Sequence, residues 1–163
     1  MLQIRNATRD DAPLIGQFIR ELAEYERLSA EAVVTDAQLR ESLFGPRPAA
    51  EVLIALLDDH PVGFALFFQN FSTFRGRPGL YLEDLFVRPM ARSQGVGRAL
   101  LARLAQIALE RNYGRMEWAV LNWNQPAIAF YETLGAKPMS DWIIYRLTGT
   151  ALNELASRLP QSQ

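Results

Sequence analysis

The residues of this chain best suited to chemistry lie between positions 83 and 98. Two acids, Glu83 and Asp84, sit in an apolar run, and Arg92-Ser93-Gln94-Gly95-Val96-Gly97-Arg98 follows. Val96, Leu100, Leu104 and Ile107 then recur at helical spacing. The order predicts a strand, a short glycine loop and a helix. A helix N-terminus is partly positive and normally attracts acids. Here no acid stands between Leu85 and Leu109, and Arg88, Arg92 and Arg98 surround the turn. Arginines crowded at a positive helix end repel it and one another unless an anion lies among them. Small glycines let backbone N–H groups close on phosphate oxygens. The segment reads as a pyrophosphate clamp, but of neither common nucleotide type. A P-loop ends in Gly-Lys-Ser/Thr, whereas Gly97 precedes Arg98-Ala99, and a dinucleotide fingerprint needs a third glycine where this chain has Leu100.

The acids suggest the second half of the chemistry. Adjacent strand residues point to opposite faces, so either Glu83 or Asp84 should enter the interior or a cleft. An unpaired buried carboxylate is costly. The bland reading is a pair of surface or arginine-paired acids. The sharper reading is a site for a cation, with a base for its proton. An alkyl amine is unprotonated only about once in a thousand molecules near neutral pH, so a carboxylate would both recruit it and take its proton.

Further on, a strand over residues 116–121 is followed by Asn122-Trp123-Asn124-Gln125-Pro126-Ala127-Ile128-Ala129-Phe130-Tyr131-Glu132-Thr133-Leu134-Gly135. Asn-x-Pro opens a helix, and Gly135 closes it as a left-handed cap. Arg92-x-x-Gly95-x-Gly97 resembles the acyl-CoA pyrophosphate loop of the GNAT N-acetyltransferase superfamily. Asn124-x-x-Ala127-x-x-Phe130-Tyr131-x-x-x-Gly135 resembles that family's second signature, in the expected order and at the expected separation. The resemblance spans about residues 2–147. Leu22-Ala23-Glu24-Tyr25-Glu26, Tyr81-Leu82-Glu83-Asp84-Leu85-Phe86-Val87 and Trp123-Asn124-Gln125-Pro126 are similar to the diamine (spermidine/spermine) or thialysine acetyltransferase branch.

The resemblance implies a set of roles. Backbone N–H groups of Leu85, Phe86 and Val87 would meet the pantetheine arm and the thioester carbonyl of acetyl-CoA. Arg92, Ser93, Gln94, Gly95, Val96, Gly97 and Arg98 would hold its pyrophosphate, with Asn124 and Pro126 as further contacts. Tyr131 would protonate the departing thiolate, and Glu83 would serve as base. Tyr25, Glu26, Glu83 and Asp84 would line the amine pocket, with Glu117 and Trp118 as weaker candidates. Residues 139–142 carry one acid, Asp141, where the polyamine enzymes this chain resembles carry more. Thialysine-like amino acids and other small primary amines therefore stay open as substrates. The branch also implies a homodimer formed through C-terminal sheet edges.

The elements needed to hold these residues can be read from periodicity. A short strand surrounds Ile4. Thr8 caps a helix carrying Leu14, Ile15, Phe18, Ile19 and Leu22 inward; a second helix follows Thr35, with Leu39 and Leu43, and stops at Gly45-Pro46. Apolar runs over 52–57 and 62–68, joined by the turn at 58–61, predict a hairpin. Residues 70–79, with Gly76, Pro78 and Gly79, read as a loop; 80–87 as a central strand; and 142–147 as a last strand before a short helix. The expected fold is α/β, a mixed and mostly antiparallel sheet flanked by helices. The family fold adds two central strands that splay apart.

Composition narrows the alternatives. At 163 residues, 49% hydrophobic and 21% charged, the chain reads as one globular domain, 1–163, with no transmembrane-length run or signal peptide. A net charge of −1 argues against a nucleic-acid partner. Zero cysteines remove thiol catalysis and disulfides, and the single histidine, His60, sits in a turn, so neither a Ser-His-Asp triad nor a histidine metal site is expected. No metal and a cytoplasmic location are the expectations. Two rivals remain: a GNAT acting on protein N-termini or lysines, and a non-catalytic acyl-CoA-binding regulatory module.

Overall fold

The computed structural model describes residues 1–159. Its contacts divide the chain into two compact units, residues 1–121 and the segment from Asn122 on. The first unit runs β1 (Leu2–Asn6), α1 (Ala12–Tyr25), α2 (Asp36–Phe44), β2 (Glu51–Leu57), β3 (His60–Ser72), β4 (Arg77–Val87), α3 (Val96–Glu110) and β5 (Met116–Trp118). Its five strands lie in sequence order. All neighbours are antiparallel except β4 and β5, which α3 joins as a parallel pair.

Both faces of the sheet are covered. Ile15, Phe18 and Leu22 of α1 and Leu39 and Leu43 of α2 pack on Val52, Ile54, Phe64 and Phe86. Phe18 stacks on Phe64 at 5.3 Å and meets Phe86 edge-on at 6.4 Å. Val96, Leu100, Leu104 and Ile107 of α3 are equally buried but stand outside this cluster, as do Leu80 and Leu82 of β4. They form the core on the opposite face. This is the mixed, flanked sheet that the periodicity predicts.

Four details differ from the sequence reading. Thr8 does not cap α1. Its N–H and hydroxyl donate to Asp11 at 2.7 and 3.0 Å, closing a single tight turn, and α1 begins afterwards at Ala12. Arg5 forks onto the same carboxylate at 2.7 and 2.8 Å. That hydrogen bonding holds the Asp11 carboxyl down to about 2.

The loop expected over 70–79 is mostly strand. Asn70, Phe71 and Ser72 pair with Gly79, Pro78 and Arg77, leaving only 73–76 as the tip. Pro78 is tolerated because its side of the ladder faces away from β3: its carbonyl accepts from the Gly114 N–H at 2.8 Å. The strand expected over 116–121 stops at Trp118.

No strand forms over 142–147. Trp142, Ile143, Ile144 and Tyr145 are 72%, 76%, 75% and 92% exposed. A segment becomes a strand only by pairing, and this one joins no ladder within the described chain. The second unit holds two helices, α4 (Gln125–Thr133) and α5 (Gly149–Ser157).

Candidate active site

The parallel pairing of β4 with β5 is short. Leu80, Tyr81 and Leu82 face Met116, Glu117 and Trp118, and the ladder ends there. On its other side β4 stays paired with β3 as far as Val87 opposite Gly63. Gly63 is required at that spot, because a Cβ on it would lie 2.7 Å from the Phe86 carbonyl oxygen. From Glu83 to Val87 the strand therefore has one paired and one open edge. The Arg88 N–H donates to Val62 on β3 at 2.8 Å. Strand peptides alternate sides, so the Phe86 N–H also faces β3, and those of Leu85 and Val87 face the side β5 has left. Two of the three expected N–H groups are thus directed to the gap.

β4 carries a bulge at its two acids. Leu66 faces Asp84 and Phe67 faces Leu82, so Glu83 is the extra residue. A bulge shifts the alternation by one. Leu80 and Leu82 belong to one core, whereas Phe86, and Asp84 in phase with it, belong to the α1 side. Glu83 is exposed and Asp84 is half-buried. Burial, then the charges of Glu83 and Glu26, push the Asp84 carboxyl up from 3.8 to about 6. Glu26, at the end of α1, is itself pushed up by burial. Three carboxylates from two elements distant in sequence therefore share one region. Tyr81 lies beside it: its hydroxyl is raised by burial and by Glu83 and Glu117, and its ring packs on Phe68 at 5.2 Å. Glu117 is partly neutralised by Arg115 at 2.8 Å and accepts from Asn70 at 3.3 Å. Trp118 is half-buried on the same strand.

The glycine loop turns into α3 at Gly95, whose φ of +78° is the left-handed conformation. A Cβ there would meet nothing within 4 Å, so the demand for glycine is conformational. Ser93 also has positive φ, and Gln94 donates to the Met90 carbonyl at 3.0 Å. The first turn of α3 holds no acid, and Arg98 is exposed on it. Val96 anchors the turn in the core, with Gly97 behind it. An α-helix of this length with an uncapped, acid-free first turn suits a phosphate. Arg92 donates its Nε–H to the Val87 carbonyl at 3.0 Å and lies 4.6 Å from the Tyr25 ring centroid.

Arg88 does not belong to this cluster. Of the three arginines around the turn, Arg88 is committed elsewhere: it forms a two-pronged pair with Glu21 at 2.8 and 2.9 Å. Its partner lies 67 residues away, beyond any local reading.

The model for the acetyltransferase (GNAT) family matches residues 17–136. The chain belongs to the GNAT family. It is 36% identical to a thialysine N-epsilon-acetyltransferase of Bos taurus, with 96% of this chain and 98% of that protein covered. It is 32% identical to an L-ornithine N5-acetyltransferase of Arabidopsis thaliana, covering 94% and 87%. Among solved structures, an integron cassette protein from the mobile metagenome of V. cholerae superposes with a TM-score of 0.80 at 30% identity, covering 95% and 97%. The enzyme class follows: this is an N-acetyltransferase.

Three of the site residues expected from sequence, Asn124, Pro126 and Tyr131, lie in the second unit. Asn124 caps α4, its Oδ1 accepting from the Ala127 N–H at 3.4 Å, with Pro126 in the first turn. Tyr131 is on α4 with its ring 5.6 Å from that of Phe130, and Gly135, at φ +83°, follows the helix end. Tyr81 and Asn70 also border the carboxylate region, though the sequence did not single them out for it. Only the strand register brings them beside Glu117: Tyr81 pairs with it across the β4–β5 ladder, and Asn70 reaches it from β3.

Proposed function

We propose that this GNAT uses acetyl-CoA to acetylate a small, cationic primary amine, a diamine, polyamine or basic amino acid, by direct transfer in a ternary complex. The carrying observation is the convergence of Glu26, Glu83 and Asp84, with Asp84 raised to about 6. Like charges gathered in a partly dry cleft repel one another, and a cationic ligand relieves them. Near neutral pH Asp84 is largely ionised and attracts an ammonium, yet it is basic enough to take a proton. The relatives named for thialysine and ornithine acetylation support a substrate with a second charge.

The roles follow. Leu85 and Val87 N–H groups receive the pantetheine arm and the thioester carbonyl, stabilising the oxyanion. The loop from Arg92 to Arg98 holds the pyrophosphate, with Asn124 and Pro126 assisting. The ammonium gives its proton to the Glu83–Asp84 pair. The free amine attacks the carbonyl carbon, the C–S bond breaks, Tyr131 protonates the thiolate, and the second proton lost from the nitrogen as the amide forms restores the tyrosine hydroxyl. Tyr25, Glu26, Glu117 and Trp118 line the acceptor side.

A single domain is supported by the family match, which crosses from the first unit into the second. A cytoplasmic homodimer completes the proposal. Among the described residues no helix is long and apolar enough to cross a membrane. The test is a panel of diamines, basic amino acids and neutral monoamines, followed by thiol release from acetyl-CoA. Charged acceptors should show higher kcat/KM, and Glu26→Gln should erode that preference through KM. Equal rates for neutral monoamines would remove the reading.

A further inference from the structure

Arg88 stands beside the glycine loop but outside the Arg92-x-x-Gly95-x-Gly97 motif, and its surroundings are unusually complete. Nε and Nη2 donate to the two oxygens of Glu21 at 2.9 and 2.8 Å, and Nη1 donates to the Pro61 carbonyl at 2.9 Å. The guanidinium lies 4.8 Å from the Phe18 ring centroid, and Phe18 is clamped by Phe64 and Phe86. Both side chains are largely covered, at 22% and 28% exposure, so solvent screens the pair less than a surface pair. The planar fork fixes orientation as well as distance.

The end of α1 needs such an anchor. Its last turn contains no basic residue, while Glu24 and Glu26 place negative charge at the negative end of the helix dipole. The helix is closed by Arg27 at φ +63°, a left-handed conformation that a non-glycine residue adopts at a cost of about 1–2 kcal/mol. Backbone bonds from the Arg27 and Leu28 N–H groups to the Glu24 and Ala23 carbonyls, at 3.1 and 2.7 Å, close the turn, but charge and backbone conformation work against the stretch that carries Tyr25 and Glu26. Glu21 lies one turn before Tyr25, and Arg88 directly follows β4.

We propose that the Glu21–Arg88 pair is a positioning device for the acceptor site. It holds the last turn of α1, with Tyr25 and Glu26, in fixed relation to the end of β4 that carries Asp84. The inference rests on the amine-pocket reading above. Neither residue touches substrate; both act through Glu26 and Asp84.

The test uses the full chain and the amine acetylated fastest in the panel. Arg88→Met and Glu21→Gln should each raise the KM for the amine roughly tenfold, with the acetyl-CoA KM unchanged and kcat lowered less. The double variant should be no worse than either single, and the reversed pair Glu21→Arg with Arg88→Glu should recover part of the loss. Arg88→Lys, which keeps the charge without the fork, should fall between and covers the case in which Arg88→Met does not fold. Additive single effects, or amine and acetyl-CoA KM moving together, overturn the proposal. Glu26→Gln separates the two readings. If it raises the amine KM while the Arg88 and Glu21 variants do not, the pocket stands and the positioning device falls. If it leaves the amine KM unchanged, the pocket reading falls. The pair is then judged by amide hydrogen exchange over residues 22–28, which should be faster in Arg88→Met; unchanged protection there refutes it.

Discussion

Arg92 lies across the ring of Tyr25, 4.6 Å from its centroid, while its Nε–H caps the Val87 carbonyl at the end of β4. One side chain thus spans the glycine loop and the last residue of α1. Its charge stays within reach of the loop while it lies over the aromatic ring. Tyr25→Phe keeps this stack, and Tyr25→Ala removes it. An exposed cation–π contact contributes about 0.5–1 kcal/mol, so Tyr25→Ala should lower the melting temperature by a few degrees and Tyr25→Phe should not. Equal melting temperatures for both variants would show that the stack contributes nothing.

Acetyl-CoA binding should depend on the loop. Gly97→Glu puts bulk and negative charge into the first turn of α3, where no acid now stands. The expected outcome is a folded protein with at least a hundredfold weaker calorimetric affinity, since an anion at a helix N-terminus loses both N–H groups and dipole. Unchanged binding would remove the phosphate assignment.

Asp84 should weaken the fold as its carboxyl ionises. Its folded value, about 6, exceeds 3.8, so between these pH values the folded state holds more protons than the unfolded one. Stability therefore falls as pH rises through that window, by on the order of 2–3 kcal/mol in total. Asp84→Asn should be more stable than the parent at pH 8, with the advantage vanishing near pH 4. Its kcat/KM for the amine should drop. Denaturant titrations at the two pH values check the sign, and a parent that gains stability across the window contradicts it.

Tyr131→Phe should keep acetyl-CoA affinity and lose turnover. It deletes one hydroxyl and leaves the ring beside Phe130. A general acid contributes ~10²–10⁴-fold, so kcat should fall within that range. A wild-type rate across pH would show that another group protonates the thiolate.

The exposed apolar segment at 142–147 should find its strand partner in a second copy. Trp142 and Ile144 alternate with Ile143 and Tyr145, so both faces are apolar, and unpaired strand-forming segments invite association. Light scattering at micromolar concentration should give a dimer, and Ile144→Lys should shift it toward monomer. A monomeric parent refutes the dimer.

Local residue types were enough for the glycine loop, the α4 cap and the inward faces of α1, α2 and α3. Each depends on neighbours within four residues: Gly95 for a left-handed turn, Asn124 and Pro126 for a helix start, and Phe18 and Leu22 for one face. The same residues made the family resemblance legible. Other features depend on partners far along the chain. The loop expected at 70–79 became strand because two thirteen- and eleven-residue strands pair through it. The faces of Glu83 and Asp84 were decided by a bulge visible only against Leu66 and Phe67. The use of Arg88 was decided by Glu21, and the raised Asp84 by burial and then by the charges of Glu83 and Glu26. Periodicity reports which face of its own element a residue occupies. Which charge meets which depends on register and packing, and those are properties of the assembled sheet.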